Sequence, residues 1–189
     1  MRTNKLLQLK QINIDGSLMP SFAFKDKTGY SGKHRKTGVK VSLIMEGNGI
    51  PIALVAAKGN IADITLANKT VDNIRLSQAA LRGSLFNGDK GFDCLAFRVH
   101  AANFGLLPNI PRRGCTTGDK DKTFIYYLYD KLKGKKRFVV ERSNAWMKSF
   151  KRLRMRFDYK SSSFEAFLYL AIIVICVRRL LPPAIVTSS

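Results

Sequence analysis

The order of apolar patterns along this chain predicts an α/β fold, a mixed β-sheet with helices on both of its sides. Three observations lead there. Short β-rich runs alternate with amphipathic helical stretches. Two of those runs are joined by Glu46-Gly47-Asn48-Gly49, in which Asn-Gly supplies the positive φ that a tight hairpin turn needs. Two others end at an aspartate beside glycine, Asp15-Gly16 and Gly88-Asp89.

In chain order, the first element is Leu9 to Asp15, where Ile12 and Ile14 interleave with polar residues. This pattern predicts a short strand that ends at Asp15-Gly16. An aspartate there commonly forms an Asx-turn. It also presents a carboxylate at the C-terminal edge of a sheet, beside a ligand crevice. Residues 25–40 form a Gly- and Lys-rich loop, either a solvated basic segment or a phosphate-contacting one. His34 is flanked there by Lys33 and Arg35, which makes it a poor general base.

Val39 to Met45 and Pro51 to Ala57 are the two arms of the hairpin. Asp63 is expected to cap a helix running to about Ile74. Leu85-Phe86-Asn87-Gly88-Asp89 is a second strand ending in an aspartate, with glycines on both sides that let other backbone approach. Asp93 is expected to cap a helix through about Phe104, and Leu106 to Ile110 is a further strand. A polar, Lys-rich insert at about 112–136 follows, interrupted by the aromatic run from Phe124 to Tyr129.

Arg137 to Lys148 reads as a helix with two faces. Val139, Trp146, Phe150 and Leu153 make an apolar stripe, while Arg137, Glu141, Asn144 and Lys148 line the other side. That polar face is either a ladder of i,i+4 ion pairs or a metal ligand flanked by phosphate-binding cations. The last helix is expected from about Ser163 to Arg179, before Pro182-Pro183. Its run from Ala166 to Val177 is almost wholly apolar but shorter than the roughly 20 residues that cross a bilayer, and so reads as a buried helix.

The charge balance narrows the function. Among 189 residues, 33 are Lys or Arg and 13 are Asp or Glu, a net charge of +20. Such a field gathers polyanions, so nucleic acid is the expected partner. Cys94, Cys115 and Cys176 lie far apart with no CxxC pair, which argues against a disulfide framework or a zinc site and fits a reducing cytoplasm. No linker divides the chain, which reads as one domain over 1–189.

Asp15, Asp89 and Glu141 stand out among the acids, two at strand ends and one on a helix face. Phosphodiester chemistry uses such a set, because hard oxygen ligands hold Mg²⁺ without filling its coordination shell. Taken singly, caps and turns also explain each acid. Ile-Asn-Ile-Asp15-Gly-Ser, Gly-Asp89-Lys-Gly-Phe-Asp and Val-Val-Glu141-Arg-Ser-Asn-Ala-Trp-Met-Lys148 together resemble the DDE domain of bacterial insertion-sequence transposases of the broad four and five groupings. The spacing Arg137, three residues, Glu141, six residues, Lys148 is similar to that family's Y-R-E-K signature, with Gly134 where the tyrosine would stand.

The resemblance implies a ribonuclease-H-like fold and DNA strand cleavage with strand transfer. It implies two Mg²⁺ ions, replaceable by Mn²⁺, on the catalytic and metal-ligating residues Asp15, Asp89 and Glu141. Arg137, Lys148 and Arg142 are the implied DNA contacts, with transposon ends and target DNA as partners in a bacterial cytoplasm, at the nucleoid. Trp146, on the opposite stripe, is expected in the core. Relatives carry a DNA-recognition region before the first aspartate, whereas 14 residues precede Asp15 here. The chain reads as a catalytic domain alone, with end recognition either absent or supplied by an N-terminal DNA-recognition chain; a homodimer is the other expected partner. Two other readings remain: a catalytically inactive, DNA-binding remnant or inhibitor, and a basic structural protein that binds nucleic acid.

Overall fold

The computed structural model describes residues 7–22, 25–113 and 138–180. Residues 114–137, which hold most of the insert and Arg137, lie outside the described residues, as does the Pro182-Pro183 end. The expected aromatic run Phe124 to Tyr129 falls in the same gap.

The architecture is the expected α/β one, a curled mixed sheet of six strands flanked by helices, consistent with the ribonuclease-H-like fold. The strands are β1 (Gln11–Pro20), β2 (Gly29–Ser31), β3 (Lys36–Glu46), β4 (Pro51–Lys58), β5 (Ser84–Asn87) and β6 (Leu106–Asn109). Their order is β2-β3-β1-β5-β6, with β4 also paired to β3. The β1, β2 and β4 pairings with β3 are antiparallel, whereas β1, β5 and β6 run parallel.

The helices are α1 (Asp63–Asp72), α2 (Gln78–Leu81), α3 (Leu95–Asn103), α4 (Phe138–Ser149), α5 (Lys151–Arg154) and α6 (Ser161–Leu180). Strand alternation separates two cores. Ile12, Ile14, Ile44 and Phe86 meet α1 and α3 on one face. Met19, Val41, Leu43 and Met45 meet α4, α5 and α6 on the other, through Val140, Met147, Leu153, Phe164 and Leu168.

Several local expectations are corrected. Strand β1 does not end at Asp15-Gly16. Pairing with β3 carries it from Ile12 to Pro20, and Leu18 and Met19 are buried beyond the glycine. Asp15 therefore sits in mid-strand. Gly16 leaves room there for the Asp63 carboxylate, since a Cβ on it would lie 2.0 Å from Asp63 Oδ1. Asp63 is the first residue of α1 rather than its cap; Ala62 takes the cap position, and Asp63 pairs instead with Lys40 at 3.0 Å. Asp93 likewise does not cap α3, which begins after Cys94; its Oδ1 accepts from Arg98 Nε and Nη2 at 3.1 and 2.9 Å.

The helix of the Glu141 motif stops at Ser149, because Phe150 is extended (ψ 118°), so Leu153 belongs to α5. Helix α6 is not wholly buried. Phe164, Leu168, Ala171 and Ile175 form its buried stripe, while Tyr169, Leu170 and Ile173 are exposed.

Candidate active site

The parallel strands carry asparagine at one level. Asn13 is in register with Asn87, and Asn87 with Asn109, all three fully buried. Asn87 Nδ2 donates to Asn13 Oδ1 at 3.1 Å, and Asn109 Nδ2 donates to Asn87 Oδ1 at 2.7 Å. A buried amide is stable only when paired, and a slip of one residue would turn each asparagine to the opposite face, so this ladder fixes the strand register. Asp15 and Asp89 each stand two residues beyond a rung, Asp15 within β1 and Asp89 past the end of β5 at the start of a 3-10 turn. Sequence reasoning missed the ladder. Its signal was there, an asparagine near the end of each short apolar run: Ile-Asn-Ile, Phe-Asn-Gly and Pro-Asn-Ile.

Asp15, like Asn13 and Met19, belongs to the β1 face that meets α4, because side chains alternate along the strand. Asn144 of α4 donates from Nδ2 to Asp15 Oδ2 at 2.8 Å. Of the polar face expected from the sequence, Asn144 is turned to the strand, while Val140 and Met147 face the core. Glu141 lies three residues before Asn144 and Lys148 four after it, so both share that side of the helix. Both are exposed.

Helix α4 is held in place by the β3–β4 turn. Ser143 Oγ donates to Gly49 O at 3.0 Å, and Arg142 Nη2 donates to Asn48 O at 3.3 Å. Gly49 has φ +89°, and a Cβ there would come within 2.8 Å of Ser143 Oγ. The turn is itself tied by Glu46, whose buried carboxylate accepts from the backbone N–H groups of Gln8, Asn48 and Ile50. Arg142, expected to contact DNA, therefore has a partner within the protein and also stacks on Trp146 at 5.2 Å. Trp146 is half-buried at the edge of the core rather than within it, with Arg179 over its ring at 4.3 Å.

Asp89 precedes the short 3-10 turn Lys90–Phe92, and its Oδ1 accepts from Gly91 N at 2.7 Å. It borders a cleft of about 330 Å³ together with Lys40, Asp63, Gly91 and Arg113. Arg113 is anchored at the rim, its backbone N–H donating to Asp93 Oδ2 at 2.7 Å and its Nε to Lys90 O at 2.9 Å. Asp63 is a second acid that the sequence reading set aside as a cap. Its ion pair with Lys40, whose side chain is almost buried, and its contact with Gly16 place it against the strand residue next to Asp15.

Register pairs Asn13 with Asn87, two residues before Asp15 and Asp89, and Glu141 lies exposed on α4 one turn from Asn144, which bonds Asp15. Among the described residues, however, no three His, Cys, Asp or Glu side chains are grouped closely enough to hold a metal ion. The acids are hard oxygen donors of the kind that Mg²⁺ takes, carried by adjoining elements.

Residues 9–176 match the family described as the transposase DDE domain. The chain belongs to that family. It is also 30% identical over 163 residues to a protein of Burkholderia cepacia described as a putative transposase for insertion sequence element IS402, a match that covers 82% of this chain and 71% of that one. Membership carries the family's activity, the cleavage and transfer of DNA strands, and its normal use of a divalent metal. Among the described residues, no helix of the transposase domain is long and apolar enough to cross a membrane.

Proposed function

We propose that Asp15, Asp89 and Glu141 are the catalytic carboxylates of this transposase domain and that they share its divalent metal, two Mg²⁺ ions that Mn²⁺ can replace. The hydrogen bond from Asn144 to Asp15 carries the reading, because it ties the helix face of Glu141 to the strand whose register neighbour leads to Asp89. Bound there, the metal would polarise the scissile phosphate and help deprotonate the attacking hydroxyl. The protein's own groups hold the ligands in place: Asn144 orients Asp15, Gly91 N–H orients Asp89, and the asparagine ladder keeps the two strands level.

Lys148 and Arg137 contact phosphates of the transposon end in this reading, and Arg142 does so while braced on the β3–β4 turn. In this reading residues 1–189 are one catalytic domain, with the polar insert at about 112–136 in its sequence. Its partners are transposon ends, target DNA and either a second copy or a separate end-recognition chain, in the bacterial cytoplasm at the nucleoid. The net charge of +20 supports a polyanionic partner.

Cleavage of a duplex bearing the element's terminal inverted repeats, with Mg²⁺ or Mn²⁺, tests this. Asp89→Ala is expected to abolish cleavage while salt-sensitive DNA binding and the circular dichroism spectrum persist. Full activity in Asp89→Ala contradicts the assignment. Absence of cleavage by the unaltered chain with either metal, alongside retained binding, would favour the inactive DNA-binding reading.

A further inference from the structure

A second feature lies beyond the carboxylates, where the later half of β1 runs beside the β2–β3 loop, α5 and the end of α4. The open groove there is lined by His34, Lys36, Lys148, Lys151 and Arg154, and among the described residues no Asp or Glu lines it. Phe22 and Phe157 also line it. They are 54% and 61% exposed, and their rings touch with centroids 5.6 Å apart at 59°.

The pair is mounted on a rigid base. Ser21 and Arg156 form an isolated parallel β-bridge, which sets the residues that follow them, Phe22 and Phe157, side by side. Arg156 N donates to Pro20 O at 2.8 Å. The fully buried Arg156 guanidinium donates to the carbonyl oxygens of Asp26, Asp158 and Tyr159 and lies over the Phe164 ring. A buried arginine saturated by three carbonyls holds this corner together, while two large aromatic rings beside it face outward. Burial holds the Arg156 pKa below its ordinary value, and Asp26 and Asp158 oppose that shift.

We propose that this groove binds a single-stranded DNA segment, with its phosphates on Lys36, Lys148, Lys151 and Arg154 and an unpaired base stacked on Phe22 and Phe157. The cations alone would suit any polyanion. The aromatic pair selects among them, because ring stacking needs an exposed base face, which a duplex keeps inside its own stack. The groove is continuous with the carboxylate site through two elements. Lys148 lies one helical turn beyond Asn144, and β1 runs on from Asp15 to Pro20, roughly 16 Å of extended chain. A strand end released by cleavage would therefore have a cationic track and a stacking platform within reach.

The choice of DNA over RNA rests on the transposase reading; the groove's preference for an unpaired strand does not. Fluorescence anisotropy in metal-free buffer, with the full chain carrying Asp89→Asn, separates the two. The probes are a labelled oligothymidylate of roughly ten nucleotides, about the span of one single-strand-binding module, the matching oligouridylate, and a duplex of the same length. Phe22→Ala and Phe157→Ala are each expected to weaken oligothymidylate binding about tenfold while duplex affinity changes less than about twofold. Phe22→Leu and Phe157→Leu, which keep apolar bulk but remove the ring face, are expected to give the same selective loss, and Phe157→Trp to restore binding. Equal losses for single strand and duplex, or unchanged oligothymidylate affinity in the Leu variants, would overturn the groove. Tighter binding of oligouridylate would overturn the choice of DNA. If the selective loss is seen yet the unaltered chain never cleaves DNA with Mg²⁺ or Mn²⁺, the groove stands and the metal-site proposal falls.

Discussion

Asn144 and Asp15, 129 residues apart in sequence, are joined by an amide–carboxylate hydrogen bond of 2.8 Å between α4 and β1. The bond holds α4, which carries Glu141, against β1 at Asp15. Its donor is a neutral side chain, so it orients Asp15 without supplying a counter-charge that would compete with a cation.

Removing that donor is predicted to weaken metal-dependent cleavage more than folding. Asn144→Ala should lower the cleavage rate about 10- to 100-fold, the usual cost of losing a group that orients a metal ligand. A raised metal requirement should accompany the loss. Rates measured across a Mn²⁺ titration check this; a uniform loss of rate with an unchanged metal requirement would assign Asn144 to packing alone.

Glu46 is predicted to be the costliest surface-distant acid to remove. Its carboxylate accepts from three backbone N–H groups in and beside the β3–β4 turn. Glu46→Ala leaves those donors without their acceptor and should cost about 3 kcal/mol of stability, at the upper end for hydrogen bonds to a charged group. Chemical denaturation gives the value. Because α4 leans on the turn through Ser143 and Arg142, cleavage should fall as well.

Acid should loosen the start of α6. The Asp26 carboxyl is held below the ordinary aspartate pKa by the hydrogen bond from the Ser161 hydroxyl, then by the Ser161 backbone N–H. A carboxylate whose folded pKa is depressed adds stability above its unfolded pKa and loses it as the pH falls through the folded value. Stability curves for the unaltered chain and Asp26→Asn should therefore converge below the Asp26 pKa and separate above it. A constant gap at every pH would remove Asp26 from this role.

DNA affinity should rise on the acid side through His34. Partial burial holds its pKa below the ordinary histidine value, Lys40, Lys33 and Lys148 lower it further, and Asp63 opposes the shift. A phosphate entering the groove would favour the charged imidazole, so binding takes up a proton in the window between the free and bound pKa values. Affinity at constant salt should increase as the pH falls through that window, and His34→Ala should flatten the dependence. Anisotropy titrations between about pH 5 and 8 cover the range in which a histidine titrates. A dependence that survives in His34→Ala would point to another group.

Much of the fold was legible because its patterns are local. The β3–β4 hairpin followed from Asn48-Gly49 between alternating apolar runs, and α1, α3 and β6 from their periodicity. The extent of β1 was not legible, because Gly16 looks like a stop until β3 is seen to pair along both sides of it. The burial of α6 was overestimated for a related reason: an apolar run does not reveal that only one of its faces has a neighbour. At the candidate site, the sequence shows the helix that carries Glu141, and the structure adds that Asn144 of that helix bonds Asp15. The partners that position it were hidden by distance in sequence, with Asn48 and Gly49 meeting Arg142 and Ser143 across 94 residues. Asp63 was hidden by position, since an aspartate at a helix start has an ordinary explanation that the ion pair with Lys40 replaces.

Gly16→Ala should report on that neighbourhood independently of the carboxylates. The added Cβ meets Asp63 Oδ1 at 2.0 Å, and Asp63 is held by Lys40, so the cost should be about 1–3 kcal/mol, as for other overpacked sites. Thermal unfolding measures it, and Asp63→Ala in the same chain should recover part of the loss. A Gly16→Ala chain as stable as the unaltered one would refute the close packing.

The shared metal site is tested most directly by Mn²⁺ binding to the full chain in complex with its terminal inverted repeat, followed by electron paramagnetic resonance. Asp15→Asn, Asp89→Asn and Glu141→Gln should each weaken Mn²⁺ binding at least about tenfold, with the fold retained, as expected when a first ligand is lost. Undiminished Mn²⁺ binding in Glu141→Gln would contradict the account, because it would separate the helix carboxylate from Asp15 and Asp89.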